Sequence, residues 1–300
     1  MNYRPLLFAS AVALSLAGAA FAQQDMSAVQ ITAQQIRPGV SVLFGNGGNI
    51  GVSYGEDGTF IVDDQFAPLV PKIQAAVAGL GASPVKYLVN THWHFDHAGG
   101  NEPFGNAGAI IVAQTRVRDR LAAGGTVAGN TSPPAPKAAL PVVTYDHGVT
   151  FNINGDTIDV IHTGGGHTDG DSVIYWRKAN VLHTGDMMMH QAGFPFVDLS
   201  SGGNVEHLIN SMDQVIAMTN ADTVIIPGHG PLATRADLIA WRGMIATAVE
   251  RVRALKTAGR TLDQAKAANP LAGLHSAPNA FVSNDAFLEA IWGSLEAHGR

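Results

Sequence analysis

The segment from Thr91 to His97 carries the residue types that could do chemistry in this chain. It reads Thr-His-Trp-His-Phe-Asp-His, so three imidazoles and a carboxylate fall within residues 92–97. In an ordinary core these groups would repel one another, but neutral imidazole and carboxylate are ligands that zinc prefers. The chain has no cysteine, so any metal site must be built from histidine, acidic residues and water. The segment predicts such a site.

Three later clusters place further ligand-type residues beside glycine. A Gly-Gly-Gly-His-Thr turn contains His167, a His-Thr-Gly-Asp run ends on Asp186, and a Pro-Gly-His-Gly run contains His229. Singly, each is compatible with an ordinary turn. Because each is predicted to follow a strand, the shared pattern favours one site assembled at strand ends.

The predicted elements that position these residues alternate between strands and helices. Strands are expected at 40–44, 50–54, 59–62, 85–90, 109–113, 142–145, 149–153, 157–162, 172–177, 180–183 and 223–226. Helices are expected at 71–80, 116–122, 204–218, 234–258 and 285–298. The order predicts sheet packed on sheet with helices outside. Residues 123–140, rich in Gly, Ala, Pro and Ser, are expected to form a loop, either a spacer or a cover over the site.

Length and charge narrow the class of protein. The chain has 300 residues, 46% of them apolar, and a formal net charge of −6 without a run of Lys and Arg. We therefore expect a small-molecule substrate and no nucleic acid partner. Without a linker that would split the chain, residues 23–300 are expected to form a single domain with a helical C-terminal segment. The oligomeric state stays open.

The N-terminus has the pattern of a secretion signal. Arg4 precedes an apolar stretch over residues 6–19, and Ala20-Phe21-Ala22 is typical of a cleavage site. The apolar stretch is short for a membrane span of about 20 residues. Residues 1–22 are therefore predicted to be a cleavable signal peptide. The mature protein is expected in the periplasm or the medium, not in a membrane.

Taken together, the motifs resemble one family. HxHxDH followed by Gly-His-Thr, Thr-Gly-Asp and Pro-Gly-His-Gly, in that order over about residues 40–230, is similar to the metallo-β-lactamase superfamily. The resemblance implies an α+β fold, the four-layer αβ/βα sandwich. It also implies a metal-dependent hydrolase with two Zn²⁺ per chain in a groove between the two halves.

The resemblance assigns roles to matching positions. It implies that His92, His94 and His167 bind the first metal, that Asp96, His97 and His229 bind the second, and that Asp186 bridges them. Asp63 matches an acidic residue that does not bind the metal itself but orients the metal ligands. From its strand end, His183 is a second candidate for that outer layer.

The ligand set predicts the reaction. Two zinc ions about 3.5–4 Å apart can share a hydroxide and polarise a carbonyl or phosphoryl oxygen. Asp96 would bind metal and also carry the proton of the attacking water to the leaving atom, which makes it the expected catalytic residue.

Substrate contacts are less defined. Asn204 follows Gly203, as in a Gly-Asn segment of cysteine-bearing lactamases whose Asn contacts substrate, but Asn is also a good helix cap. Trp93 is either a packing residue or part of the groove floor. Asp186 stands where many true lactamases have Cys, which favours the wider hydrolase branch. Arg235 and Lys178 are the nearest candidates to bind the carboxylate of a β-lactam.

Three functions remain. The first is a secreted zinc hydrolase of amide or ester bonds, with β-lactams among its candidate substrates. The second is a lactonase, thioesterase or phosphoesterase on the same site. The third is a mononuclear iron sulfur dioxygenase, which the complete second ligand set disfavours.

Overall fold

The computed structural model describes residues 26–275, 277 and 280–297, so the predicted signal segment 1–22 lies outside the described residues. The strands are β1 (Thr32–Arg37), β2 (Val40–Phe44), β3 (Ile50–Gly55), β4 (Gly58–Val62), β5 (Val85–Val89), β6 (Ile110–Gln114), β7 (Gly125–Val127), β8 (Asn130–Ser132), β9 (Val143–Tyr145), β10 (Gly148–Ile153), β11 (Asp156–His162), β12 (Ser172–Trp176), β13 (Val181–His183), β14 (Val224–Ile226) and β15 (Ala233–Thr234). The helices are α1 (Val70–Gly79), α2 (Phe95–Ala98), α3 (Asn101–Asn106), α4 (Thr115–Ala123), α5 (Val205–Met218), α6 (Arg235–Thr257), α7 (Leu262–Ala268) and α8 (Asn284–Ala297).

Two large sheets form the centre of the fold. The first has the order β1-β2-β3-β4-β5-β6-β9 and the second the order β10-β11-β12-β13-β14-β15. Their facing sides share one apolar core, which includes Phe60 and Val62 from the first sheet and Ile174 and Trp176 from the second. Strand residues alternate between two faces, so Ile61 points the other way, into the core beneath α1.

Helices cover both outer faces. Ile73 and Val77 of α1 pack on the first sheet, whereas Leu208 of α5 and Ile245 of α6 pack on the second. The layers therefore run helix, sheet, sheet, helix, and the predicted α+β four-layer sandwich is confirmed. Within the part described, none of the helices combines the length and apolar character that crossing a membrane requires.

Parallel pairing brings the site-bearing loops together. Strands β4, β5, β6 and β9 pair in parallel, and so do β13 and β14. The carboxyl ends of parallel strands meet at one edge of a sheet, where ligand sites commonly lie. The loops after β4, β5, β13 and β14 therefore open at a common edge.

The prediction that residues 123–140 form a loop needs correction. This segment contains the antiparallel hairpin of β7 and β8, followed by a turn of 3-10 helix at Lys137–Ala139. Each strand has only three residues, which is too short for an alternating pattern to be detected in a Gly- and Ser-rich segment. Strand β1 was likewise not predicted, because its side chains are mostly polar and exposed and show no alternation. Helices α3 and α7 were not predicted because each is short.

Candidate metal centre

Both sheets supply ligand-type side chains to one site. From the first sheet, the loop after β5 holds His92 and His94, and the short helix α2 then carries Asp96 and His97. From the second sheet come one residue after each of β11, β13 and β14, namely His167, Asp186 and His229. Residues far apart in sequence therefore meet because the two sheets present their strand ends side by side.

The seven side chains fall into overlapping groups whose ligand atoms lie within 4.8 Å of one another. The groups are His92, His94 and His167; His92, His97 and Asp186; and Asp96, His97 and His229. The first and last are the two ligand sets that the sequence predicts, and Asp186 lies between them. Asp186 is buried, whereas Asp96 and His229 are about a quarter exposed, so the second group faces the opening.

The outward nitrogens of the first group are held by hydrogen bonds. Nδ1 of His92 lies 2.9 Å from the Thr91 hydroxyl, whose own proton goes to Asp63. Nε2 of His94 donates to Asp198 at 3.1 Å, and Nδ1 of His167 donates to the Phe196 carbonyl at 2.7 Å. In each neutral ring the opposite nitrogen then presents a lone pair to the centre.

His97 in the second group is held in the same way. Its Nδ1 donates to Asp63 Oδ2 at 2.7 Å, which leaves Nε2 directed at the centre. Asp63 also accepts the backbone N–H of Thr91 at 2.7 Å, so one buried carboxylate orients two neighbouring parts of the ligand loop. Asp64 instead accepts the N–H of Gly100.

The donor set fits divalent cations. Nε2 of His92 is buried and makes no hydrogen bond within the described residues. Nδ1 of His94 lies 2.9 Å from Nε2 of His167, and Nε2 of His97 lies 3.2 Å from Nε2 of His229. Converging nitrogen lone pairs at such distances repel unless a proton or a cation lies between them. Histidine and carboxylate without thiolate is a donor set that zinc accepts.

The two groups differ in protonation. Burial lowers the pKa of His92, His94 and His167 below the ordinary 6.5, so these rings are neutral at pH 7. Burial also disfavours charge on His229, but the carboxylates of Asp186 and Asp96 outweigh it and raise its pKa to about 9. The second group therefore holds protons that a metal ion would replace.

His97 belongs with His229 in this respect. Burial lowers its pKa, but Asp186, Asp96 and Asp63 together hold the pKa well above 6.5. Positive charge is thus favoured at this end of the centre even in the absence of metal, because three carboxylates surround it.

His183 contacts the backbone next to a ligand residue and is not one of the seven ligand-type residues. It is fully buried, its Nδ1 accepts the N–H of Gly185, and its Nε2 donates to the Asn49 carbonyl at 2.9 Å. Because Gly185 directly precedes Asp186, His183 fixes the backbone that carries this carboxylate.

Position 228 requires glycine because the backbone there lies very close to the Asp186 side chain. A Cβ placed on Gly228 would lie 2.0 Å from Oδ1 of Asp186. The Pro-Gly-His-Gly motif therefore needs its first glycine because the backbone passes directly beside the carboxylate, a contact that any side chain would prevent.

A cavity of about 470 Å³ lies over the second group and is lined by Asp96, Asp186, His94 and His229 together with apolar side chains. Val127, Ala128 and Asn130 of the hairpin also line it. Of the two roles considered for residues 123–140, the structure thus places part of the segment at the site.

The structure places the two predicted substrate contacts outside this cavity lining. Asn204 is buried, and its side chain accepts the N–H groups of Glu206 and His207 as the N-cap of α5. Trp93 is 5% exposed and donates to the Ser201 hydroxyl at 3.0 Å. Local packing and capping occupy both side chains. Lys178 and Arg235 are also absent from the described lining.

Sequence reasoning missed Asp198 and Asp171. Asp198 orients His94, and hydrogen bonds from His94, Ser200 and Ser201 outweigh burial and hold its pKa well below the usual range. Asp171 accepts the N–H groups of His167 and Thr168. Asp198 lies in a segment for which the sequence predicted no element, and no spacing pattern links it to the histidine that it contacts.

The sequence also matches a known family. Residues 44–229 match the metallo-beta-lactamase superfamily. The chain belongs to this superfamily. The predicted recognition is thereby confirmed, and a metal-dependent hydrolase is confirmed at the level of the superfamily.

Individual relatives differ in substrate. The chain is 33% identical over 103 residues to a hydroxyacylglutathione hydrolase of Erythrobacter litoralis, over 34% of each chain. It is 28% identical over 146 residues to metallo-beta-lactamase IND-1 of Chryseobacterium indologenes, over 49% of this chain and 56% of that protein. The matched regions thus span about a third and about half of these relatives.

Solved structures agree on the fold. A metallo-beta-lactamase from Pontibacter korlensis superposes with a TM-score of 0.62 at 19% identity, covering 72% of this chain and 99% of that one. At this identity the likeness shows the shared architecture alone.

Proposed function

We propose that this chain is a secreted, zinc-dependent hydrolase that opens amide or ester bonds with two Zn²⁺ in the seven-residue centre. The observation that carries the proposal is the convergence of seven ligand side chains, with inward-facing nitrogens, beneath an open cavity. Relatives named as a hydroxyacylglutathione hydrolase and as a metallo-beta-lactamase support hydrolysis of an acyl bond.

The first task of the chain is to hold the metals. His92, His94 and His167 would hold one ion, Asp96, His97 and His229 the other, and Asp186 would contact both. When bound, the two ions supply Lewis acidity, which lowers the pKa of water towards about 7 and polarises an acyl oxygen. Asp63, Asp198 and the Phe196 carbonyl keep the imidazole rings in the tautomer that binds metal.

Asp96 is the residue placed to move a proton. Its Oδ2 lies 3.2 Å from His229 Nε2 and 3.7 Å from His97 Nε2, and its side chain lines the cavity. The neighbouring His97 and His229 outweigh burial and lower its pKa, so the carboxylate is ionised. It can therefore accept a proton from an attacking water and deliver it to the departing nitrogen or oxygen.

The location of the protein is part of the proposal. The signal pattern of residues 1–22 and the cleavage motif ending at Ala22 support export to the periplasm or the medium. The absence of cysteine from the chain is compatible with an oxidising compartment.

A substrate panel tests the proposal. Zinc-loaded protein is assayed on a chromogenic cephalosporin, nitrophenyl esters, lactones, thioesters and phosphodiesters, with and without chelator. We expect turnover of an acyl substrate that the chelator removes and added zinc restores.

Two variants complete the assay. His94→Ala should remove turnover, whereas His147→Ala, which changes an exposed histidine outside the centre, should retain it. Acyl hydrolysis that survives both chelator and His94→Ala would show that the reaction occurs elsewhere.

A further inference from the structure

The cavity over the metal centre has aromatic walls. On one side Phe66 and Phe95 face each other with ring centroids 6.0 Å apart, and on the other Phe196 and Phe281 pair at the same separation. Phe281 is 68% exposed, which is unusual for a large apolar side chain and places it at the rim. Met189 continues the apolar surface near the centre.

The titratable side chains of the cavity all belong to the metal centre, which forms the floor of the cavity. Of the described lining residues, the titratable ones are His94, Asp96, Asp186 and His229, all of them predicted ligands. No lysine or arginine lines this cavity in the described chain. The adjoining cavity at His229 is likewise lined by described residues without a lysine or arginine.

The cationic residues considered for an anionic substrate are not in the cavity walls. Lys178 donates its Nζ to the carbonyl of Gly155 at 3.2 Å. Arg235, the first residue of α6, is absent from the described cavity lining. Arg120, which was not considered from the sequence, forms a bidentate pair with Asp169 at 2.7 Å. An anionic group bound among the apolar walls would lose its hydration and find no lysine or arginine side chain to replace it, which is costly in free energy. An apolar group in the same place would be stabilised by burial against the aromatic rings.

We propose that the substrate is an uncharged ester or lactone with an apolar acyl group, which lies between the two aromatic pairs. This inference rests on the proposed function. Asn46 and Asn130 are the neutral polar side chains of the described wall and can hydrogen-bond a carbonyl. An anionic group would find counter-charge only at the metal ions, where the scissile bond itself must lie.

A matched pair of esters tests the claim. Nitrophenyl hexanoate and the nitrophenyl monoester of adipic acid differ at the far end of the acyl chain, methyl against carboxylate. We expect kcat/KM to be at least tenfold higher for the hexanoate, and to rise about fourfold per added methylene from acetate to hexanoate. Equal values for hexanoate and adipate would overturn the proposal.

An added charge should reverse the preference. Asn130→Lys places a cation on the hairpin at the cavity wall, and we expect it to lower the hexanoate-to-adipate ratio by at least fivefold. Asn210→Lys makes the same change at an exposed position of α5 and should leave the ratio as it is. A ratio that is the same in both variants would contradict an acyl site beside the hairpin.

A binding measurement keeps the inference separate from the proposed function. If no ester is hydrolysed, the proposed function fails, and the acyl site is then judged by titrating hexanamide into chelator-treated protein. Binding that Phe281→Ala weakens at least threefold and Asn210→Lys does not change supports the apolar site. Equal binding to the Phe281→Ala and unsubstituted proteins overturns it.

Discussion

At the scale of single residues, the centre depends on hydrogen bonds behind the ligands. Each of four histidines has one nitrogen engaged by a protein oxygen, so the other is directed at the centre. The ligand residues could be predicted from their types and spacing. Their orienting partner Asp198 could not, because it reaches His94 across 104 positions of sequence.

Removing that partner should weaken metal binding. Asp198→Asn takes away the charge that holds His94 Nε2–H, and we expect metal affinity at the three-histidine group to fall about 10–100-fold while the fold is kept. Competition with a chromophoric chelator measures this. Asp213→Asn, which changes a half-exposed partner of Arg242, is the control and should bind metal normally. Equal metal affinities of the Asp198→Asn and Asp213→Asn variants would show that Asp198 does not support metal binding.

The protonation of the ligands predicts different pH dependence at the two groups. His229, with a pKa raised to about 9, holds a proton below that pH, and a metal ion must displace it. His97, whose pKa is also raised, holds a second competing proton, so the second metal should bind at least tenfold more weakly for each unit that the pH falls from 9 towards 6.5. The three rings of the first group are already neutral there, so the first metal should change little.

Zinc titrations at pH 6.5, 7.5 and 8.5, corrected for the competing chelator, measure both affinities. At the lowest pH we expect a protein that retains one ion. The same slope for both ions would contradict the assignment of raised and lowered pKa values to the two groups.

At the scale of elements, turns position the ligands by close backbone contact. Gly228→Ala would bring a methyl group against Asp186, and we expect a loss of about 1–3 kcal/mol of stability together with weaker binding of the second metal. Gly243→Ala is the matched control in α6, because its added Cβ meets no atom within 4 Å beyond the adjoining backbone of its own helix. That change should stabilise the helix by about 0.5–1 kcal/mol. If the two variants had the same free energy of unfolding and the same metal affinity, the proposed close contact between residue 228 and Asp186 would be contradicted.

Helix α5 offers a test of what Asn204 does. If its role is the cap seen in the structure, Asn204→Ala should cost about 0.5–2 kcal/mol in the free energy of unfolding, and Asn204→Asp should restore most of it. KM should stay unchanged in both variants. A higher KM without lost stability would instead support the substrate contact expected from sequence.

The elements also show where sequence patterns lose information. Long periodic segments such as α5 and α6 were predicted to within a few residues. The hairpin of β7 and β8 was not, because three-residue strands joined by Ala128 and Gly129 leave no alternation to detect. Its place at the cavity follows from packing, since Val127 is buried among Trp93, Ala113 and Val117.

At the scale of the whole molecule, the metal centre joins the two sheets. Four ligand-type residues come from the first sheet and three from the second, and the core between the sheets holds them in register. The order of motifs along the chain was enough to predict this architecture. The aromatic walls were not predictable, because Phe66, Phe196 and Phe281 are scattered in sequence and meet only in the fold.

Metal content tests the central claim most directly. Purified protein is loaded with a mixture of zinc and iron, passed through gel filtration, and analysed by mass spectrometry for metal per chain. The seven-residue centre predicts close to two zinc ions per chain. One iron per chain, without zinc, would contradict the dinuclear zinc hydrolase and favour the dioxygenase alternative.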